Sequence, residues 1–195
     1  MRALDRVMEE FGWPMGPAFL VDTIGLDVMV HADKVLQDGY PSRMRHHMPV
    51  VVEHLHVSGL LGQKKGAGFY EYGQSTRGPR PRLLSAVAKL FLNQYPPAKD
   101  ISDHQIIGRL MAPLGMEAVR CLDEGIVANP GDADLGAILG LGFPRFRSGP
   151  LRYIDQCGLK RLVEMVRHFH SWGRFMRSRP GFYRETLIFI SELLN

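Results

Sequence analysis

The sequence contains only two cysteines, Cys121 and Cys157, in 195 residues. They allow at most one bridge, which excludes a disulfide scaffold and is typical of proteins from a reducing compartment. No apolar run is long enough to span a bilayer, and the first helical stretch mixes charges of both signs instead of forming a signal peptide. We therefore expect a cytoplasmic protein. Because 45% of the residues are hydrophobic, we also expect it to bury a substantial core.

Alternation of apolar and polar residues, the pattern of half-buried strands, is nearly absent. Apolar residues recur instead at three- and four-residue spacing, which predicts an all-α fold. No apolar strand leads into a G-x-G-x-x-G turn, so no dinucleotide-binding site is expected in this chain. The predicted helices cover residues 1–11, 17–25, 26–37, 49–58, 83–92, 103–124, 130–140, 150–158, 159–170 and 183–194.

The helical pattern is interrupted between residues 62 and 81. Residues 62–72 combine closely spaced glycines with aromatics, which predicts an ordered loop with a short strand. Residues 74–81 are rich in glycine, proline and arginine and are typical of a linker. The predicted domains are therefore 1–73 and 82–195. Within the second domain, Ser102 is the expected cap of the long helix, which Pro113 is expected to bend.

Two segments of the chain repeat one another. Gly16-Pro17-Ala18-Phe19-Leu20-Val21-Asp22-Thr23-Ile24-Gly25-Leu26 recurs as Gly149-Pro150-Leu151-Arg152-Tyr153-Ile154-Asp155-Gln156-Cys157-Gly158-Leu159, an offset of 133. Upstream, Gly12-Trp13-Pro14 matches Gly142-Phe143-Pro144 at an offset of 130. In each copy the proline suits a helix start, the glycines suit turns, and the repeated aspartate suits a cap or brace of a neighbouring turn.

The two copies differ in what precedes them. The long helix at 103–124 precedes the second copy, whereas only residues 1–11 precede the first. If the copies are equivalent units that stack to share a core, roughly thirty residues belong ahead of Met1. We therefore expect a fragment or a truncated relative.

Several of these motifs together resemble one family. The first part of the chain resembles the C-terminal domain signature of 3-hydroxyacyl-CoA dehydrogenases. The residues that carry this resemblance are Leu4-Asp5, Phe11-Gly12-Trp13-Pro14-Met15-Gly16-Pro17-Ala18, Leu20, Asp22 and Gly25-Leu26-Asp27. Gly62-Gln63-Lys64-Lys65-Gly66-Ala67-Gly68-Phe69-Tyr70 is similar to the segment that closes its first repeat. Three later segments resemble the second repeat of multifunctional α-subunits: Glu117-Ala118-Val119-Arg120-Cys121-Leu122-Asp123-Glu124-Gly125, Ala133-Asp134 and Gly140-Leu141-Gly142-Phe143-Pro144. The resemblance covers about residues 1–175.

The resemblance implies two tandem repeats of the 6-phosphogluconate dehydrogenase C-terminal-domain-like fold. It also implies oxidation of L-3-hydroxyacyl-CoA to 3-ketoacyl-CoA with NAD in fatty-acid β-oxidation. The family's catalytic His–Glu pair and its NAD site belong to a nucleotide-binding domain, so no catalytic, cofactor-binding or metal-binding residue is expected here and the chain alone is expected to be inactive. The implied partners are the 3-hydroxyacyl-CoA substrate, that domain, a second copy in a homodimer and a thiolase β-subunit.

The resemblance assigns this chain one wall of the acyl pocket. Its expected substrate-binding residues are Trp13, Pro14, Met15, Pro17, Leu20 and Leu139. Relatives often place Tyr at the position of Leu139. They also carry a substrate-contacting Asn before an Arg on the long helix of the first repeat, the part expected ahead of Met1. The corresponding site of the second repeat is Gly108 before Arg109, so no Asn is restored there. The turn at residues 12–17 also has a purely structural interpretation as a helix–helix connection, and both interpretations stand at this point.

Other candidate sites favour structural roles. Residues 62–68 lack the G-x-x-x-x-G-K-[ST] order of a phosphate loop and suit packing instead. His54 and His56 are two positions apart and face different sides of a helix, which disfavours a metal site. Glu117 and Glu124 suit solvated or salt-bridged positions, and Cys157 suits a core position.

The C-terminal segment supports an alternative function. Residues 160–184 contain seven basic residues and one acid, interleaved with aromatics. This composition suits a solvated basic face, but it also suits weak membrane association or nucleic-acid binding. The alternative to an enzyme part is therefore a non-catalytic helical interaction module that binds through this tail; with the dehydrogenase resemblance, nucleic acid is not an expected partner.

Overall fold

The computed structural model describes residues 1–44, 51–73, 80–93 and 101–158, with residues 80–83 and Leu92 described by their backbone only. Helices dominate this part of the chain, which confirms the all-α prediction. The elements are α1 Arg2–Phe11, α2 Pro17–Ile24, α3 Leu26–Gly39, α4 Val51–Val57, β1 Tyr70–Gly73, β2 Arg80–Leu84, α5 Ala86–Asn93, α6 Asp103–Asp123, α7 Pro130–Leu141 and α8 Pro150–Cys157, with short 3-10 turns at Gln63–Lys65 and Arg145–Arg147. The helices predicted at 159–170 and 183–194, and the basic tail, lie outside the described residues.

Local sequence signals account for the ends of the helices. Ser102 caps α6 in a reciprocal box: its hydroxyl accepts the backbone N–H of Gln105, and the Gln105 side chain accepts the N–H of Ser102. Asn129 accepts the N–H of Asp132 at 2.9 Å at the start of α7. Prolines open α2, α7 and α8, as their fixed φ favours at a first helical position.

The strands form one antiparallel pair, with Tyr70 opposite Leu84 and Gly73 opposite Arg80. The register is irregular between Tyr70 and Tyr72. Strand β2 begins at Arg80, inside the segment 74–81 that composition predicts as a linker. The end of this segment, Arg80 and Pro81, therefore pairs with β1 in spite of a composition typical of a flexible connection.

Contacts divide the chain into two compact units. In the described residues, the N-terminal unit comprises Met1–Glu10 and residues 15–101, and the C-terminal unit comprises Phe11–Pro14 and residues 102–158. The division between the predicted domains 1–73 and 82–195 stays a prediction.

Each unit has its own core. In the N-terminal unit, buried residues of α2 to α5, of the loop before β1 and of β1 itself pack together: Ala18, Leu26, Leu55, Phe69, Tyr70 and Ala88. In the C-terminal unit α6 packs against α7 and α8. A Cβ on Gly115 of α6 would overlap the side chain of Ile154, so a glycine is needed where α6 and α8 approach each other. Among the described helices, none has both the length and the apolarity that crossing a membrane requires.

Candidate functional site

Asp22, at the end of α2, anchors the glycine-rich segment that precedes β1. One carboxylate oxygen accepts the backbone N–H of Phe69 at 2.8 Å. The other accepts the backbone N–H of Tyr70 at 2.9 Å and the hydroxyl of Tyr72 at 2.6 Å. A Cβ on Gly68 would overlap this carboxylate. The aspartate therefore holds a loop that is distant in sequence, whereas its repetition suited a cap or brace of a neighbouring turn.

Burial dominates the electrostatics of this cluster. Desolvation raises the pKa of Asp22 above its usual value, while hydrogen bonds from Tyr72, Tyr70 and Phe69 lower it in part. Burial and the hydrogen bond to Asp22 raise the pKa of Tyr72, and burial together with Asp5 raises that of Tyr70. The two phenols are therefore held in the neutral, donating form, which suits structural bracing better than proton transfer.

A second aspartate, Asp5 of α1, caps the start of α2 from the side. Its carboxylate accepts the backbone N–H of Ala18 at 2.8 Å and the hydroxyl of Tyr70 at 2.7 Å. A Cβ on Gly16 would overlap Asp5, so the glycine of the Gly-Pro motif lets α1 approach α2.

The C-terminal unit contains the same arrangement. Asp134 of α7 accepts the backbone N–H of Leu151 at 2.7 Å and that of Arg152 at 3.2 Å. A Cβ on Gly149 would overlap Asp134, as one on Gly16 would overlap Asp5. Burial raises the pKa of Asp134, although its two backbone hydrogen bonds lower it in part. The sequence analysis therefore missed the capping role of this aspartate. The sequence does contain a signal for it, because Leu4-Asp5 precedes the first Gly-Pro motif as Ala133-Asp134 precedes the second.

Aromatic rings surround the turn at Trp13 in the C-terminal unit. Trp13 meets Phe143 edge-to-face with ring centroids 5.5 Å apart, and Phe11 meets Tyr153 at 5.2 Å. The Arg147 guanidinium lies over the Phe11 ring at 3.8 Å, and its Nε donates to the Phe11 carbonyl at 2.7 Å. Within the described chain, the indole N–H of Trp13 is buried and has no hydrogen-bond partner.

The six expected substrate-binding residues are divided between the two units. Trp13, Pro14 and Leu139 belong to the C-terminal unit, and Met15, Pro17 and Leu20 to the N-terminal unit. Leu20 is 41% exposed and Leu139 is 69% exposed. Their assignment to the acyl pocket stays a prediction.

An apolar cleft in the described part of the C-terminal unit lies elsewhere. It has a volume of about 550 Å³ between α6, α7 and α8, and its polar lining includes Arg145, Arg152 and Asp155. Its apolar lining comprises Val119, Leu122, Leu135, Ile138, Leu151 and Ile154. None of the six expected substrate-binding residues lines this cleft of the described chain.

The remaining candidates have structural surroundings. Lys64 pairs with Asp27 at 2.5 Å and Gln63 donates to Thr23 at 2.7 Å, so the segment 62–68 packs on the end of α2 as its composition predicts. Glu117 forms an ion pair with Arg120 at 2.8 Å. His54 lies 4.7 Å from the ring of Phe91. The described residues contain no group of three potential metal ligands.

Known proteins with similar sequences are subunits of a fatty acid oxidation complex. The chain is 41% identical over 173 residues to the fatty acid oxidation complex subunit alpha of Psychrobacter sp. (strain PRwf-1), and 42% identical over 174 residues to that of Psychrobacter cryohalolentis. Each match covers 88% of this chain and 24% of the relative. The chain therefore spans about a quarter of the length of these relatives.

Two solved structures share the fold. The dehydrogenase part of multifunctional enzyme 1 from C. elegans matches with a TM-score of 0.61 and 23% identity, over 88% of this chain and 38% of that one. The 3-hydroxybutyryl-CoA dehydrogenase of Escherichia coli K12 matches with a TM-score of 0.69 and 18% identity, over 97% of this chain and 55% of that one.

The family model described as the 3-hydroxyacyl-CoA dehydrogenase C-terminal domain matches residues 1–72 and 106–188. The second match continues beyond residue 175, where the resemblance was expected to end, and the two matches correspond to the two copies of the internal repeat. The chain therefore belongs to the family of 3-hydroxyacyl-CoA dehydrogenase C-terminal domains.

Proposed function

We propose that this chain is the substrate-side part of a dehydrogenase that oxidises L-3-hydroxyacyl-CoA to 3-ketoacyl-CoA with NAD in fatty-acid β-oxidation. The observation that carries the proposal is the double family match, over residues 1–72 and 106–188. The 41% identity to a fatty acid oxidation complex subunit supports a multifunctional protein as its setting.

The described residues do not fit an NAD site of the usual kind. Such a site holds the pyrophosphate on backbone N–H groups of a glycine turn between a parallel strand and a helix. Here β2 is antiparallel to β1, and it leads into α5 through Ser85, whose hydroxyl accepts the N–H of Ala88 and donates to the carbonyl of Gly68. We therefore assign NAD to a nucleotide-binding domain of the whole protein, which is the first partner we propose for this chain.

The proposed contribution of this chain is an apolar wall against the acyl group, formed by the residues that match the family motif. Exposed Leu20 and Leu139 offer apolar surface to an acyl chain. Trp13 is assigned to the wall by its place in the same motif. Pro14, Met15 and Pro17 complete the proposed wall. A homodimer, a thiolase β-subunit and a cytoplasmic location belong to the same proposal.

A segment exchange tests the function. This chain replaces the matching segment of the Psychrobacter alpha subunit, and NADH formation from a 3-hydroxyacyl-CoA is followed by absorbance. We expect the chimaera to retain dehydrogenase activity, because the exchanged wall still positions the substrate. A soluble, folded chimaera without dehydrogenase activity would contradict the proposal.

A matched pair of variants tests the wall. Leu139→Ala in the chimaera is expected to raise KM, since it removes apolar surface from the acyl site. Ile126→Ala, at a residue 70% exposed in the same unit, serves as the control and is expected to leave KM unchanged. Equal effects of the two substitutions would contradict the assignment of Leu139.

A further inference from the structure

Helix α3 is apolar on two opposite sides. Leu26 is fully buried and lies on the side that packs against α2 and α4. On the other side of the helix Val28, Val35 and Leu36 are 49%, 56% and 44% exposed. A helix at the surface of a globular unit normally carries polar residues on the side that faces away from the core. Packing within the N-terminal unit therefore does not explain the exposed apolar side of α3.

The apolar residues on this side form one continuous stripe. The α3 stripe consists of Val28, Ala32, Val35 and Leu36, which follow the spacing i, i+4, i+7, i+8 of a single helical face. It extends for about 12 Å along the helix, at 1.5 Å per residue. Gly39 continues the same face, and a Cβ there would meet no atom within 4 Å. A contiguous exposed apolar surface of this kind is typical of a protein–protein contact.

The α3 stripe is complementary to itself. Its smallest side chain, Ala32, lies at the middle, and larger apolar side chains lie on both sides of it. A two-fold axis at Ala32 places a second α3 antiparallel to the first, with Val28 of each copy against Val35 and Leu36 of the other. The small central residue lets the two helices approach to the usual interaxial distance of about 8–10 Å.

The charged residues beside the stripe are complementary in the same arrangement. Lys34 and Asp38 are exposed along one flank of α3, and the ion pair of Lys64 with Asp27 lies at the start of that flank. A two-fold axis that crosses both helices brings this flank of one copy against the same flank of the other. Asp38 of one copy then faces Lys64 of the other, and Lys34 faces Asp27. Each end of the contact therefore combines two acids with two bases, which favours this pairing over one that juxtaposes like charges.

We infer that the α3 stripe is the contact surface between two copies of this chain, which pair antiparallel about a two-fold axis at Ala32. One helical face is small beside the roughly 800 Å² per partner of a standard stable interface, so the dimer forms and dissociates with concentration. The inference rests on the homodimer of the proposed function and names the surface through which that dimer forms.

Sedimentation equilibrium of the full 195-residue chain over a wide range of concentrations tests the contact. We expect a reversible equilibrium between monomer and dimer. Val28→Glu and Val35→Lys, each made alone, are expected to raise the Kd of the dimer by about tenfold or more, because each places an unpaired charge in an apolar contact. Val57→Glu, at a residue of α4 that is 85% exposed, is the matched control and should leave the Kd unchanged.

The double variant Val28→Glu/Val35→Lys tests the antiparallel geometry. We expect it to dimerise again, because each new glutamate meets the new lysine of the other copy. Positions 28 and 35 are seven residues apart on one helix and too distant to pair within a chain, so pairing between copies is what restores the dimer. For the same reason an equimolar mixture of the two single variants should form a heterodimer. A parallel pairing would instead bring like charges together.

Three results would overturn the inference. They are a wild-type chain that stays monomeric at every concentration, a dimer whose Kd Val28→Glu leaves unchanged, and single variants whose loss of dimer the double variant does not restore. Circular dichroism of every variant distinguishes loss of the dimer from loss of the fold. Sedimentation does not depend on catalysis, so a monomeric chain would overturn this inference and leave the NADH assay of the chimaera to decide the proposed dehydrogenase function.

Discussion

The carboxylate of Asp5 accepts a hydrogen bond from the backbone N–H of Ala18 at 2.8 Å, across a separation of thirteen residues. The first N–H groups of a helix have no partner within the helix, and here a side chain of the preceding helix supplies one. The other oxygen of Asp5 binds the Tyr70 hydroxyl, so one buried aspartate connects α1, α2 and β1. This residue joins the start of the repeat motif to its closing segment.

Asp5→Ala is therefore expected to lower the free energy of unfolding by about 1–3 kcal/mol, because it leaves a buried N–H and a buried hydroxyl without their acceptor. Urea denaturation monitored by circular dichroism measures the loss. Asp123→Ala, at an exposed residue at the end of α6, is the control and is expected to change stability by less than about 0.5 kcal/mol. A loss at Asp5 no larger than that at Asp123 would contradict the capping role.

Alanine substitutions at two glycines of the C-terminal unit are expected to change the stability of the protein in opposite directions. Gly149→Ala should destabilise the protein, since its φ is 107° and the new Cβ would overlap Asp134. Gly136→Ala should stabilise it by about 0.5–1 kcal/mol, because Gly136 lies inside α7 and its Cβ would meet no atom within 4 Å. Thermal unfolding of both variants decides the signs, and a destabilised Gly136→Ala would show that this face of α7 is packed.

The helices and their ends could be predicted from the sequence because the interactions that specify them are local. The Ser102 box and the Asn129 cap each join residues three positions apart. The hydrogen bonds to Asp22 could not be predicted in detail. The bond from Phe69, for example, joins residues 47 positions apart and depends on tertiary packing. The same reason explains β2, whose pairing with β1 is not encoded in the composition of residues 74–81.

In the candidate site, too, some features follow from local sequence and others depend on tertiary packing. Position in the family motif selects Trp13 and Leu139, but no sequence pattern reports that the Trp13 indole N–H is buried without a partner in the described chain. No sequence pattern predicts the apolar cleft beside Asp155 either, because residues of α6, α7 and α8 line the cleft together. The repeat also includes two capping aspartates: Asp5 precedes the first Gly-Pro motif and caps α2, and Asp134 precedes the second and caps α8.

Tyr72→Phe is expected to raise the pKa of Asp22 further. Burial already raises this pKa, and the Tyr72 hydroxyl supplies the strongest of the hydrogen bonds that lower it. Because the folded-state pKa exceeds the unfolded value, the folded protein binds more protons between the two values, and this group's contribution to stability falls as pH rises through that window. The variant should extend the window to higher pH.

Carboxyl carbon NMR titration of Asp22 measures the pKa, and urea unfolding at several pH values between about 4 and 7 measures the slope. Tyr40→Phe, at an exposed tyrosine, is the control and should leave both unchanged. A lowered pKa of Asp22 in Tyr72→Phe would show that the phenol does not stabilise the carboxylate.

Arg147→Lys is expected to destabilise the C-terminal unit although it conserves charge. The guanidinium carbon lies over the Phe11 ring, 3.8 Å from its centroid, and Nε donates to the Phe11 carbonyl at 2.7 Å. Lysine has no planar group to stack and no donor at the Nε position, so both interactions are lost and the free energy of unfolding should fall by about 1–2 kcal/mol. Arg145→Lys, in the same 3-10 turn and exposed, is the matched control and should stay within about 0.5 kcal/mol of the wild type.

Chemical denaturation of Arg147→Lys and Arg145→Lys at low and high salt separates short-range contacts from the effect of net charge. Because stacking and the carbonyl hydrogen bond are short-range contacts, the difference in stability between the two variants should persist at high salt. A difference that disappears with salt would show that Arg147 acts through its net charge alone.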